Sequence, residues 1–97
     1  MATYIGLINW TDQGVRTFKD SPSRADAARA AMQGLGVTMK EIYWTIGPYD
    51  LVFIADAPDD ETLTAALLNV GAGGNVRTTT MRAFTQAEFA GIVARTG

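Results

Sequence analysis

Few groups in this chain are suited to chemistry, and their positions narrow what they can do. In the stretch YWTIGPYDLVF, Tyr43 to Phe53, a Gly-Pro corner sets Tyr49 and Asp50 at the entrance of an apolar run. A carboxylate at the mouth of a strand can accept a proton, and burial beside aromatic rings raises its pKa into a useful range. Asp50, Tyr49 and Tyr43 are therefore the candidate proton-transfer groups. They also have a purely structural reading. Asp at a turn holds nearby backbone amides, and a tyrosine there packs its ring on a surface or a partner.

A second group is aromatic and cationic. Tyr4, Trp10, Trp44 and Phe53 lie in strand-like runs, and Trp44 shares a face with Phe53 if the hairpin pairs it with Leu51. Together they can line an apolar ligand pocket with polar tips. Singly, each is read as ordinary core or interface packing. Arg82 has the parity of Thr78 and Thr80. Facing inward it suits a carboxylate or enolate ligand, and facing outward it is an edge-strand charge that discourages aggregation.

Composition removes other chemistries. With no cysteine among 97 residues there is no disulfide framework or thiolate metal site. With no histidine, the usual general base and the commonest zinc and haem ligand are missing. No cofactor and no metal are expected. Asp56, Asp59, Asp60 and Glu61 cluster, but carboxylates at a helix start explain them better than a cation site. The net charge of −2 argues against a nucleic-acid partner. No apolar run approaches a membrane span, and the N-terminus goes straight into alternation without a basic start. The expectation is a soluble, cytoplasmic protein.

The elements that must position these residues follow from pattern. Ala2–Trp10 alternates as a strand, Ile5 and Leu7 on one face, Tyr4, Ile8 and Trp10 on the other. Thr11 caps a helical stretch in which Asp12 and Arg16 have the spacing of a surface ion pair. Ser21-Pro22 restarts the helix, its alanines let it lie close to a sheet, and Gly34 and Gly36 end it. Residues 37–46 and 51–57 form a hairpin about the Gly-Pro corner, with Lys40 and Glu41 guarding an edge. Asp59 and Asp60 start a second helix with the face Leu63, Ala66, Leu67 and Val70. The run Gly71-Ala72-Gly73-Gly74 stops it. It lies after a helix and before a strand, the reverse of a phosphate loop. Residues 76–84 make a fourth strand, and Thr85-Gln86-Ala87-Glu88 is a capping box for a short C-terminal helix with Phe89, Ile92 and Val93.

The order β-α-β-β-α-β plus a helix is that of an α+β, ferredoxin-like domain with a four-stranded antiparallel sheet and both main helices on one face. RNA-recognition domains share this order. Here, however, the third strand reads Asp50-Leu51-Val52-Phe53-Ile54-Ala55, without their basic-Gly-aromatic signature. Two strands are apolar on both faces, and helices can cover only one. The uncovered face predicts a homodimer.

The corner YWTIGPYD, with WTDQGVRTFKDSPSR, APDDE and GNVRTTTMRAFTQAEF, resembles the GYD domain family over essentially the whole chain. The resemblance implies one domain, residues 1–97, of the dimeric α/β-barrel kind. It carries over no established catalytic residue. Dimeric α/β-barrel relatives include oxygenases and isomerases acting on aromatic or lactone compounds. Two functions remain open: a homo-oligomer that binds a small apolar metabolite, with or without cofactor-free catalysis, and an assembly or protein-interaction module whose aromatic residues are interface.

Overall fold

A computed structural model describes all of residues 1–97. Its strands are β1 (Ala2–Trp10), β2 (Thr38–Trp44), β3 (Leu51–Ala57) and β4 (Val76–Ala83). Its helices are α1 (Asp12–Arg16), α2 (Ser21–Gly34), α3 (Asp60–Ala72) and α4 (Gln86–Ala94), with a 3-10 turn at Phe18–Asp20. The strands form one antiparallel sheet in the order β2-β3-β1-β4. This is the ferredoxin-like arrangement: each main helix carries the chain between strands that are not neighbours in the sheet.

Local chemistry sets most element ends. The Thr11 hydroxyl accepts from the Gly14 N–H at 3.1 Å and starts α1. The Asp59 carboxylate accepts from the Thr62 N–H at 2.7 Å and starts α3, and the Thr62 side chain, then this backbone bond, hold its pKa below the ordinary value. Thr85 and Glu88 form a reciprocal capping box at α4, and the Thr85 N–H lowers the Glu88 pKa. Some boundaries differ from the sequence pattern. β2 stops at Trp44 rather than Ile46, because Thr45 leaves the ladder to close the corner: its N–H donates to the Asp50 carbonyl at 2.8 Å and its hydroxyl to the Tyr49 carbonyl at 2.6 Å. β4 ends one residue before Phe84. Asp12 and Arg16 form no ion pair. Their helix is only five residues long, and an exposed pair is worth too little to hold two long side chains together.

The core lies between the sheet and the helices α2 and α3. On the covered face, β1 contributes Tyr4 and Ile8, β3 contributes Leu51, Phe53, Ala55 and Ala57, and the helices bring Met32, Leu63 and Ala66. Two close approaches explain two glycines. The Phe53 ring lies directly over Gly6, where a Cβ would sit 2.0 Å from the ring. A Cβ on Gly14 would sit 1.9 Å from the Asn75 carbonyl, so α1 can dock on the α3–β4 connection only without a side chain there. Thr11 completes that docking by donating to the Gly74 carbonyl at 2.5 Å.

The other face of the sheet has no layer over it. Register puts Ile54, Ile5 and Met81 in one row, and Tyr43, Val52, Leu7 and Thr79 in the next. Strands β1 and β3 are thus apolar on both sides, as the alternation predicts. β2 forms one edge, bulged at Lys40, whose ammonium lies 3.6 Å from the Asp56 carboxylate. The C-terminal α4 buries none of its residues. The molecule measures 52 × 30 × 17 Å, and its radius of gyration is 14.6 Å, against about 12.5 Å for a compact chain of this length.

Candidate functional site

Asp50 is placed by the end of the β1–β3 ladder. Its N–H donates to the Ile8 carbonyl at 2.8 Å, and its carboxylate accepts from the Trp10 N–H at 2.9 Å. The side chain therefore takes over where the backbone pairing of Ile8 with Leu51 ends. This corrects the turn reading in one respect: the amide held by the carboxylate belongs to β1, forty positions away, and not to the corner itself. Tyr49 is half-buried and its backbone carbonyl closes the corner. Tyr43 points to the uncovered face, opposite Val52, and is 53% exposed. A hydrogen bond with Glu41, and the charge of that carboxylate, raise its phenol above the ordinary value and keep it protonated. The three proton-transfer candidates thus have three different surroundings.

The aromatic candidates also divide. The hairpin does pair Trp44 with Leu51, so Trp44 shares the covered face with Phe53. Its indole N–H donates to the Ser21 hydroxyl at 3.0 Å, joining β2 to the start of α2. Trp10 and Phe53 line a cavity of about 330 Å³ between the sheet and helices α2 and α3, a size typical of small-molecule sites. Tyr4, Trp44 and Arg82 are not among its walls. Tyr4 and Arg82 face one another across β1 and β4 at the far end of the sheet, because pairing sets Tyr4 beside Arg82 but Trp10 beside Val76.

At that far end the Tyr4 hydroxyl donates to the Asp60 carboxylate. This bond, then burial, then the Asp60 charge push the phenol up to about 12. Tyr4 is a fixed donor at neutral pH. Arg82 lies on the edge strand and is exposed, yet register puts it on the same covered face as Tyr4, with its guanidinium 5.7 Å from the Tyr4 ring centre. It stacks 4.4 Å from the Phe84 ring centre and donates to the Thr3 carbonyl at 3.2 Å and to the Ala83 carbonyl. The acidic cluster disperses likewise: Asp56 engages Lys40 and Thr3, Asp59 caps α3, and Asp60 accepts from Tyr4.

What the sequence pattern missed is how the cavity forms. Ala25, Ala28 and Ala31 of α2 do not press against the sheet. They border a hollow, half open to solvent, that is also lined by Met32, Leu35, Leu67, Val70 and Val76. A run of alanines signals close approach only when the opposing side chains are long enough to meet it. Arg24, one turn into α2, also lines this hollow. The indole nitrogen of Trp10 is buried without a hydrogen-bond acceptor, and it exposes less than 1 Å² even to the cavity.

Fold and site geometry together define a ferredoxin-like α+β domain with a half-open apolar hollow on the helix side of the sheet and an uncovered apolar face on the other. The chain belongs to the GYD domain family, which matches residues 4–93. It is 33% identical to the glutamine synthetase and cystathionine beta-lyase binding protein of Thermus thermophilus, over 92% of this chain and 95% of that one. A crystal structure of a Thermus thermophilus protein superposes with a TM-score of 0.57 at 29% identity, covering 88% of this chain and 95% of the other. The leucine response regulatory protein of Mycobacterium tuberculosis shares the fold, with a TM-score of 0.66 at 16% identity. This chain spans 51% of that regulator, and 88% of this chain is covered.

Proposed function

We propose that this protein is a homodimeric, non-catalytic binding module of the cytoplasm that docks onto other proteins. One observation carries the reading: the sheet face formed by Ile5, Leu7, Val52 and Ile54, flanked by Met81 and Tyr43, has nothing above it. A continuous apolar face of this kind is a binding surface in a protein that stays in solution. Pairing two such sheets face to face removes both from water. Helix α4 supports the same reading. Nine residues make a marginal helix in water without packing, yet Phe89 and Val93 are 55% and 53% exposed on the single chain. A second copy supplies the surface that α4 lacks.

The protein-binding part is favoured by the Thermus thermophilus relative, whose name describes it as binding two enzymes. The test is direct titration of the purified protein with glutamine synthetase and with cystathionine β-lyase of the same host, followed by calorimetry. Saturable binding to either, unchanged by Asp50→Asn, supports the module. Absence of binding to both by a demonstrated dimer removes the protein-docking half of the proposal.

A second reading is favoured by one specific feature, the 330 Å³ hollow beneath α2 and α3. It is that the domain takes a small apolar ligand between sheet and helices. Asp50, Tyr49 and Tyr43 remain proposed rather than assigned as reacting groups, and Tyr4, Trp44 and Arg82 as ligand contacts. The hollow brings only Trp10 and Phe53 of that set to one place.

A further inference from the structure

We propose that the hollow binds a small apolar carboxylic acid, with its hydrocarbon body against the alanine face of α2 and its carboxylate on Arg24. The inference rests on the reading above that the hollow takes a ligand, and it names the chemistry of that ligand.

Sixteen of the twenty-one wall residues are hydrophobic, so the body of the ligand is apolar. The one charged side chain in the wall is Arg24. Its guanidinium is oriented by neutral groups only. One terminal nitrogen donates to the Thr17 carbonyl at 2.9 Å and to the Thr17 hydroxyl at 2.8 Å, and the other to the Gly14 carbonyl at 3.1 Å. No carboxylate lies within ion-pair distance, and the molecule's single ion pair, between Lys40 and Asp56, involves neither Arg24 nor the hollow. A half-buried cation oriented by neutral oxygens and left without a counter-charge still attracts an anion, although solvent on its Thr17 side screens part of that attraction. A planar guanidinium suits a carboxylate better than a point charge would. Trp10 contributes a wall and not a donor, because its indole nitrogen is sealed from the hollow. The remaining polar wall groups, Ser21, Asn69, Asn75 and Thr78, are neutral and raise no barrier to an anion.

The experiment uses two probes with the same body, 4-phenylbutyrate and 4-phenylbutanol. Binding is followed by the side-chain N–H resonance of Trp10 in the intact protein, distinguished from that of Trp44 with Trp44→Phe. The expected result is saturable one-to-one binding of the acid at least about tenfold tighter than the alcohol, as a charge-assisted contact requires. Arg24→Gln should erase that preference while the alcohol still binds. Ala28→Leu, which fills the hollow, should weaken both probes and leave the melting temperature equal or higher. Equal affinity of acid and alcohol for the unaltered protein would overturn the carboxylate assignment and keep the apolar hollow. Failure of both probes to saturate would overturn the assignment and the ligand reading together. An acid preference that survives in folded Arg24→Gln would also overturn it.

Discussion

Asp50 shows how a residue that looks chemical can be structural in its contacts. Its carboxylate substitutes for a missing strand partner at the end of β1, so removing it strands the Trp10 N–H. Asp50→Ala should lower stability by about 1–3 kcal/mol, the cost of an unsatisfied, partly buried donor. Asp50→Asn retains an acceptor oxygen and should lose much less. Thermal unfolding of the two variants, side by side, checks this, and equal losses would point to the charge instead. Tyr4 provides a pH signature. Its pKa is raised in the folded state to about 12 from an ordinary value near 10, so folding favours the protonated phenol. The resulting stabilisation is complete below pH about 10 and disappears as pH rises towards 12. Denaturant unfolding in that window should show a stability loss in the natural protein that Tyr4→Phe lacks. Tyr43 is present in both proteins, so its own ionisation cancels in the comparison.

At the scale of elements, the contact between β1 and β3 depends on an absent side chain. Phe53 is 1% exposed and its ring occupies the space above Gly6, so a methyl group there must push the ring out of its place. Gly6→Ala should destabilise the fold by about 1–3 kcal/mol through overpacking, and Phe53→Leu in the same chain should recover part of it. A double-mutant cycle by thermal unfolding measures the coupling. The alternation of β1 made its two faces legible from sequence, and the capping residues Thr11, Asp59 and Thr85 marked three helix starts. Each of those signals needs only a few neighbouring residues. The Gly6 constraint was not legible, because alternation specifies which way a residue points and not which ring crosses above it. The end of β2 departs from the pattern for a similar reason: Ile46 continues the apolar run, but the corner hydrogen bonds of Thr45 outweigh it.

For the whole molecule, the governing fact is an apolar sheet face and an apolar helix without cover. If two copies pair through the sheet, a charge at its centre should separate them. Ile54→Lys is expected to convert a dimer into a folded monomer by sedimentation at micromolar concentration, with helix and strand content retained. Ile54 lies on the face opposite the hollow, so 4-phenylbutyrate binding should persist in the monomer. A natural protein that sediments as a single subunit would remove the dimer outright.

The sequence alone determined the element order, the ferredoxin-like class and the two-sided greasiness of β1 and β3. These arise from periodicity and caps, which act over a few residues. The tertiary structure decided which candidates meet. It paired Asp50 with an amide forty positions away, separated Tyr4 and Arg82 from Trp10, and left a hollow beside Arg24 that no pattern announced. Those outcomes depend on sheet register and on the lengths of side chains facing each other across a gap, and both are properties of the assembled layers.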